Sequence, residues 1–168
     1  MFVLGIDPGL SRCGYAVVEA QGRPGRQHRA VALGVLRTSP HDPLPGRLAE
    51  LQAELRDLIA EHRPEAVAVE QVFFQVNVRT AMSVGQASGL AMAESAAAGA
   101  EVVQYSPNQV KQAVAGYGAA DKAQVQRMVQ TLLGLAEAPH PADAADAAAL
   151  ALCHLAYHPV RQRVRAQT

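Results

Sequence analysis

Apolar and polar positions along this chain follow two periods in turn. Phe2 to Ile6 is a short apolar run stopped by Asp-Pro-Gly, which predicts a buried strand with Asp7 at its end. Gly14 to Glu19 and Ala30 to Arg37 are valine-rich and flank a Gly/Arg/Pro stretch, predicting two strands joined by an exposed hairpin loop. From Leu44 to His62, Leu48, Leu51, Leu55, Leu58 and Ile59 recur at helical spacing, the pattern of an amphipathic surface helix. Pro64 breaks it, and Ala66 to Val69 form a short β-prone run ending in Glu70. Asn77 to Ala98 suits a helix whose small residues Gly85, Ser88, Gly89 and Ala93 let another backbone approach. Glu101 to Tyr105 reads as a further strand. Ser106 caps a short helix through Val114, Gly116 to Gly118 breaks it, and a second helix covers Asp121 to Leu133. After the proline-rich loop at Pro139 to Pro141, Ala142 to Tyr157 is so rich in alanine and leucine that it must lie against a sheet. Strands first, then alternating helix and strand, predict a mixed-sheet α/β domain. One domain over residues 1–158 is expected, followed at 159–168 by a basic tail of the composition that stays disordered.

Composition narrows the function classes. With 168 residues, 49% of them apolar, a single well-filled core is affordable. Fifteen basic and fifteen acidic side chains give no global positive field, so any nucleic-acid binding must be local. Cys13 and Cys153 stand alone, without CxxC or Cys/His spacing, which argues against disulfides and zinc and for reduced thiols. The opening MFVLGIDPG carries no positively charged leader and no membrane-length apolar run, so a soluble cytoplasmic protein is expected.

Four acids stand out by their surroundings. Asp7 and Glu70 each end an apolar strand, and neighbouring strands bring such residues to one sheet edge, where ligands bind. Asp143 and Asp146 are three apart on the last helix, hence on one face. Each has a plainer reading: an aspartate before Pro-Gly forms turns, and acids in a first helical turn meet the macrodipole. Glu70 is harder to dismiss, because glutamate is unfavourable in a strand. Crowded carboxylates repel, and their burial costs several kcal/mol per charge, so a divalent cation is the natural companion. Oxygen ligands without thiols or paired imidazoles favour Mg²⁺ or Mn²⁺, and two such ions can hold the attacking water and leaving oxygen of a phosphodiester.

The blocks LGIDPG, VAVEQVFF, QVKQAVAGYG and ADAADAAALA closely resemble, in order, the main signatures of RuvC-family crossover junction endodeoxyribonucleases, and the likeness runs over nearly the whole chain. The resemblance implies a ribonuclease-H-like α/β fold, a five-stranded mixed sheet flanked by helices. It implies a homodimer that resolves four-way (Holliday) DNA junctions by paired, metal-dependent nicks leaving 5′-phosphate and 3′-hydroxyl ends. It implies partnership with the RuvA and RuvB branch-migration complex, and two Mg²⁺ or Mn²⁺ ions per site. Asp7, Glu70, Asp143 and Asp146 match the family's metal-binding catalytic acids; some relatives have histidine at the Asp143 position.

Lys111 and Lys122, the only lysines, flank QVKQAVAGYG in a stretch nearly free of acids and with Arg127 suggest a local phosphate-binding patch. A sparse lysine on a helix can equally be merely solvated; the resemblance supports both as DNA-binding. It also points to Phe73 as a ring that stacks on a base, with Phe74 packing in the core. Arg79 and Arg127 read more simply as surface charges. The small-residue stripe at 77–98 can pack on its own sheet or form a twofold contact, as two symmetric scissile strands require two matched sites. His154 and His158, four apart, lack a third ligand and read as histidines at a helix C-terminus. His140, the 22–29 loop and the arginine tail receive no role.

Two rival classes deserve weighing. LGIDPGLSRCGYAVVE also resembles the first phosphate-binding hairpin of sugar-kinase and actin-like ATPases, but the chain is short of a second domain and has no GxxxxGKS loop. A catalytically silent junction-binding dimer would keep the lysines and use the acids only structurally; carboxylates at all four matched positions argue against it.

Overall fold

The computed structural model describes residues 1–21, 27–72 and 78–165, with side chains in these stretches except at 78–80 and 159–165. The elements are β1 (Phe2–Asp7), β2 (Arg12–Glu19), β3 (Arg29–Arg37), α1 (Leu44–His62), β4 (Ala66–Glu70), α2 (Val78–Ala97), β5 (Glu101–Tyr105), α3 (Pro107–Ala115), α4 (Lys122–Leu133) and α5 (Ala142–Arg165). One five-stranded sheet has the order β3-β2-β1-β4-β5. β2 lies antiparallel to β1 and β3, whereas β1–β4 and β4–β5 are parallel. The expected meander and mixed sheet are therefore present.

Side-chain alternation splits the core into two layers. Leu4, Ile6, Val67 and Val69 face α1 and α2, meeting Leu51, Leu55, Ala87 and Ala91. Val3, Ala66 and Ala68 face α3, α4 and α5, meeting Val110, Val129, Ala147 and Ala151. By that parity Asp7 and Glu70 belong to the α5 side of the sheet.

Local chemistry sets the helix ends. Ser106 caps α3 and Asp121 caps α4, each accepting from the backbone N–H three residues on while Gln109 or Gln124 reaches back, and left-handed Gly116 and Gly134 close both helices. Lys122 is thus the first residue of α4, a cation where the helix dipole disfavours one.

Two expectations change. The last helix does not end near Tyr157: its backbone stays helical to Arg165 although Pro159 removes one N–H donor, so the basic end begins as helix. His154 consequently does not sit at a helix C-terminus. It is fully buried, its Nδ1 3.1 Å from the Tyr105 hydroxyl, and Tyr105 stacks on Tyr157. Its role is structural, through packing and hydrogen bonding rather than the dipole. Cys13 and Cys153 are free and buried, and burial pushes both thiols up to about 12.

Candidate active site

Asp7 and Glu70 close the two central parallel strands, one register step beyond the Ile6–Val69 pair, and Glu70 is opposite Tyr105 of β5. The tertiary step that completes the site is the approach of α5. A Cβ at Gly5 would collide with the Ala147 carbonyl, and one at Gly14 with the Asp143 carbonyl. Glycine at these two strand positions lets the helix backbone rest directly on β1 and β2. Because Gly14 also pairs with Asp7 in the sheet, the first turns of α5 are set down beside Asp7.

Asp7, Glu70 and Asp146 line one cavity of about 290 Å³, together with Lys111, Lys122 and an apolar wall from α3, α4 and α5. Asp143 stands next to this group and not in the lining. Lys122 Nζ donates to Asp146 Oδ2 at 2.6 Å, and Arg12 donates to Asp143 Oδ2 through Nε (3.1 Å) and Nη2 (2.5 Å). The lysine that the sequence placed in an acid-poor patch is thus ion-paired inside the acidic cavity. Lys111 is half-buried in the same wall, whereas Arg127 is exposed on α4 and does not line the cavity. Phe73 and Phe74 lie outside the described residues, as does the side chain of Arg79.

Electrostatics separates the acids. Desolvation, then repulsion from Glu70, Asp146 and Asp143, raises the Asp7 carboxyl to about 7, with Lys122 opposing. Desolvation and Asp146 likewise raise Glu70, against Lys122. Asp143 moves the other way, held below the ordinary carboxylate range chiefly by its hydrogen bond from Arg12. Lys122 is raised by its bond to Asp146.

A wider groove of about 610 Å³ separates the C-terminal ends of α1 and α2; none of the four acids lines it, and the Arg56–Glu94 ion pair crosses it. Among the described residues no three His, Cys, Asp or Glu side chains stand close enough to cage a metal unaided. The donor set nevertheless suits a hard divalent cation: every candidate ligand is a carboxylate, two are burdened by burial and like charge, and two already hold a cationic side chain. Sequence reasoning missed Arg12, Gly5 and Gly14. The two glycines inside apolar strands were the available signal for close backbone approach; Arg12 had none.

A carboxylate-lined crevice at the ends of the central strands of a mixed sheet ordered 3-2-1-4-5, with helices on both faces, defines a ribonuclease-H-like domain. The model of the family "Crossover junction endodeoxyribonuclease RuvC" matches residues 3–154. The RuvC of Salinispora arenicola is 56% identical over 99% of this chain and 94% of its own length, and that of Moorella thermoacetica 50% identical over 97% and 96%. Among solved structures, Thermus thermophilus RuvC superposes with a TM-score of 0.90 at 42% identity, covering 96% of this chain and 97% of that one. The same enzyme in complex with a Holliday junction substrate superposes equally, at 0.90 and 42%, covering 96% of each chain. The yeast mitochondrial Holliday junction resolvase Ydc2 shares the fold, with a TM-score of 0.68 at 16% identity over 97% of this chain and 82% of its own. The chain belongs to the RuvC family of crossover junction endodeoxyribonucleases.

Proposed function

We propose that this chain is the endonuclease that resolves four-way DNA junctions in recombination and repair, hydrolysing one phosphodiester in each of two opposed strands and leaving 5′-phosphate and 3′-hydroxyl ends. The observation that carries the reading is the convergence of Asp7, Glu70 and Asp146 on one cavity with Asp143 beside it, from three distant stretches of the sequence. The family membership and the junction-bound Thermus thermophilus relative support the substrate class.

In this reading Asp7, Glu70, Asp143 and Asp146 are the catalytic acids and hold Mg²⁺ or Mn²⁺, two ions per site. Such ions, when bound, polarise the scissile phosphate and lower the pKa of bound water. The protein's own groups supply the rest. Lys111 and Lys122 meet phosphate oxygens at the cavity wall. Partial burial at the sheet edge strengthens the charge interactions of Asp7 and Glu70. Phe73 is proposed as the base-stacking ring.

Two symmetric cuts require two sites, so we propose a homodimer. On α2, Ala87, Ser88, Ala91 and Ser95 are buried against the sheet, while a Cβ at Gly85 or Gly89 would meet open space and Met82 is 60% exposed. That outward small-residue stripe fits the twofold contact. Residues 1–158 would form the nuclease domain and 159–168 a basic extension. No helix among the described residues is long and apolar enough to cross a membrane; a cytoplasmic enzyme working with RuvA and RuvB is proposed.

The test is incubation of the purified protein with a synthetic mobile four-way junction and Mg²⁺ or Mn²⁺. Paired symmetric nicks are expected from the parent, and binding without cleavage from Asp7→Asn and Glu70→Gln. A junction left uncut by the parent with either metal refutes the reading, and ATP turnover would favour the ATPase-like alternative.

A further inference from the structure

We infer that Arg12 is a positioning residue for the metal centre, fixing the Asp143 carboxylate against the start of β2 so that it meets the site already oriented. The inference rests on the carboxylate reading above. Arg12 and Asp143 are 131 residues apart, yet Nε and Nη2 of the guanidinium both donate to the single oxygen Oδ2. A loose surface ion pair contributes little. Two donors converging on one oxygen hold that oxygen in place more firmly than a single contact would, and they leave Oδ1 without an arginine donor.

Both ends of this contact are held. At the strand end, a Cβ on Gly9 would collide with the Arg12 carbonyl, so the Asp-Pro-Gly turn lies directly on the Arg12 backbone. Arg47 of α1 donates to Thr38 Oγ1 (3.0 Å) and Ser11 Oγ (2.6 Å), while Thr38 Oγ1 donates to the Leu10 carbonyl (2.6 Å). The residues just ahead of Arg12 are thereby pinned to α1 and to Thr38, which follows β3. At the helix end, Gly14, on the same face of β2 as Arg12, lies against the Asp143 carbonyl.

The need for such a device is specific to Asp143. The other three acids are placed in the cavity wall, whereas Asp143 stands outside it. Ligating carboxylates depend on outer hydrogen bonds for orientation, and losing such a partner typically costs about 10–100-fold in metal affinity or activity.

The experiment measures Mn²⁺ binding to the full-length, DNA-free protein by the electron paramagnetic resonance of free Mn²⁺, for the parent, Arg12→Gln, Arg12→Lys, Asp143→Asn and the Arg12→Gln/Asp143→Asn double variant. Arg12→Gln is expected to weaken binding tenfold or more, and Arg12→Lys less, since it restores a charge without the fork. The double variant is expected to bind no more weakly than Asp143→Asn alone. Should Asp143→Asn weaken binding while Arg12→Gln stays within twofold of the parent, the inference fails and the carboxylate reading stands. Tighter binding by Arg12→Gln would overturn it too, marking the arginine as a competitor of the metal. A parent that binds no Mn²⁺, or an Asp143→Asn variant that binds like the parent, removes the reading beneath it. Melting curves without metal accompany each variant; if Arg12→Gln does not fold, Arg12→Lys carries the comparison, and Mn²⁺ binding by it indistinguishable from the parent overturns the inference.

Discussion

Replacing Asp7 by asparagine should make the metal-free protein more stable at alkaline pH. The Asp7 carboxyl is raised from its ordinary value near 3.8 to about 7, first by desolvation and then by the three neighbouring acids. Below pH 3.8 folded and unfolded chains both hold the proton, so the group is neutral to stability. Between 3.8 and about 7 the folded state keeps a proton that the unfolded chain releases, so stability falls as pH rises. Above 7 both are ionised and the full penalty is present. At about 1.4 kcal/mol per pH unit this penalty has a ceiling of about 4 kcal/mol. Water entry and relaxation around buried charge reduce it, and about 2 kcal/mol is a reasonable expectation. For a chain of this size that is roughly 4–8 °C in Tm. The assay is thermal unfolding of parent and Asp7→Asn in EDTA from pH 5 to 9, then in Mg²⁺ or Mn²⁺. The variant should gain most at pH 8 to 9 and little at pH 5, and added metal should stabilise the parent more than the variant. Equal pH slopes for the two proteins, or a variant less stable at pH 9 in EDTA, would refute the claim that burial and the neighbouring acids outweigh Lys122 at Asp7.

Two further outcomes follow from the packing. Gly5→Ala should destabilise by about 1–3 kcal/mol or prevent folding, because the new Cβ occupies the place of the Ala147 carbonyl; chemical denaturation reads this, and a shift under about 0.5 kcal/mol would mean that α5 is free to move off the strand. Cys13 and Cys153, buried and with thiols near 12, should resist iodoacetamide at pH 8 in the native protein and react promptly in denaturant, as mass spectrometry would record; rapid native alkylation would contradict their burial.

Much of the fold is legible in the linear chain because its signals are local. The α1 span Leu44–His62 follows from leucine periodicity, and β5 at Glu101–Tyr105 from a β-prone run between breakers. Ser106 and Asp121 declare the starts of α3 and α4 through a reach of three residues. The four acids are equally visible, since a carboxylate inside an apolar stretch is anomalous without any knowledge of its neighbours, and the ordered motifs tie them to a family. Local patterns misplace the end of α5, whose helical backbone passes the point at which composition turns basic.

Which charges meet which was decided by the tertiary structure alone. Lys122 looked unaccompanied because no acid is near it in sequence save its own N-cap Asp121, yet folding sets it on Asp146, 24 residues away. His154 looked like a helix-end histidine and became a buried partner of Tyr105. Arg12 carried no signal in the sequence and grips Asp143. Periodicity reports only the face on which a side chain lies. A Coulomb interaction or a hydrogen bond depends on distances of a few ångströms, which here are set by two glycines that allow a helix backbone to touch a sheet.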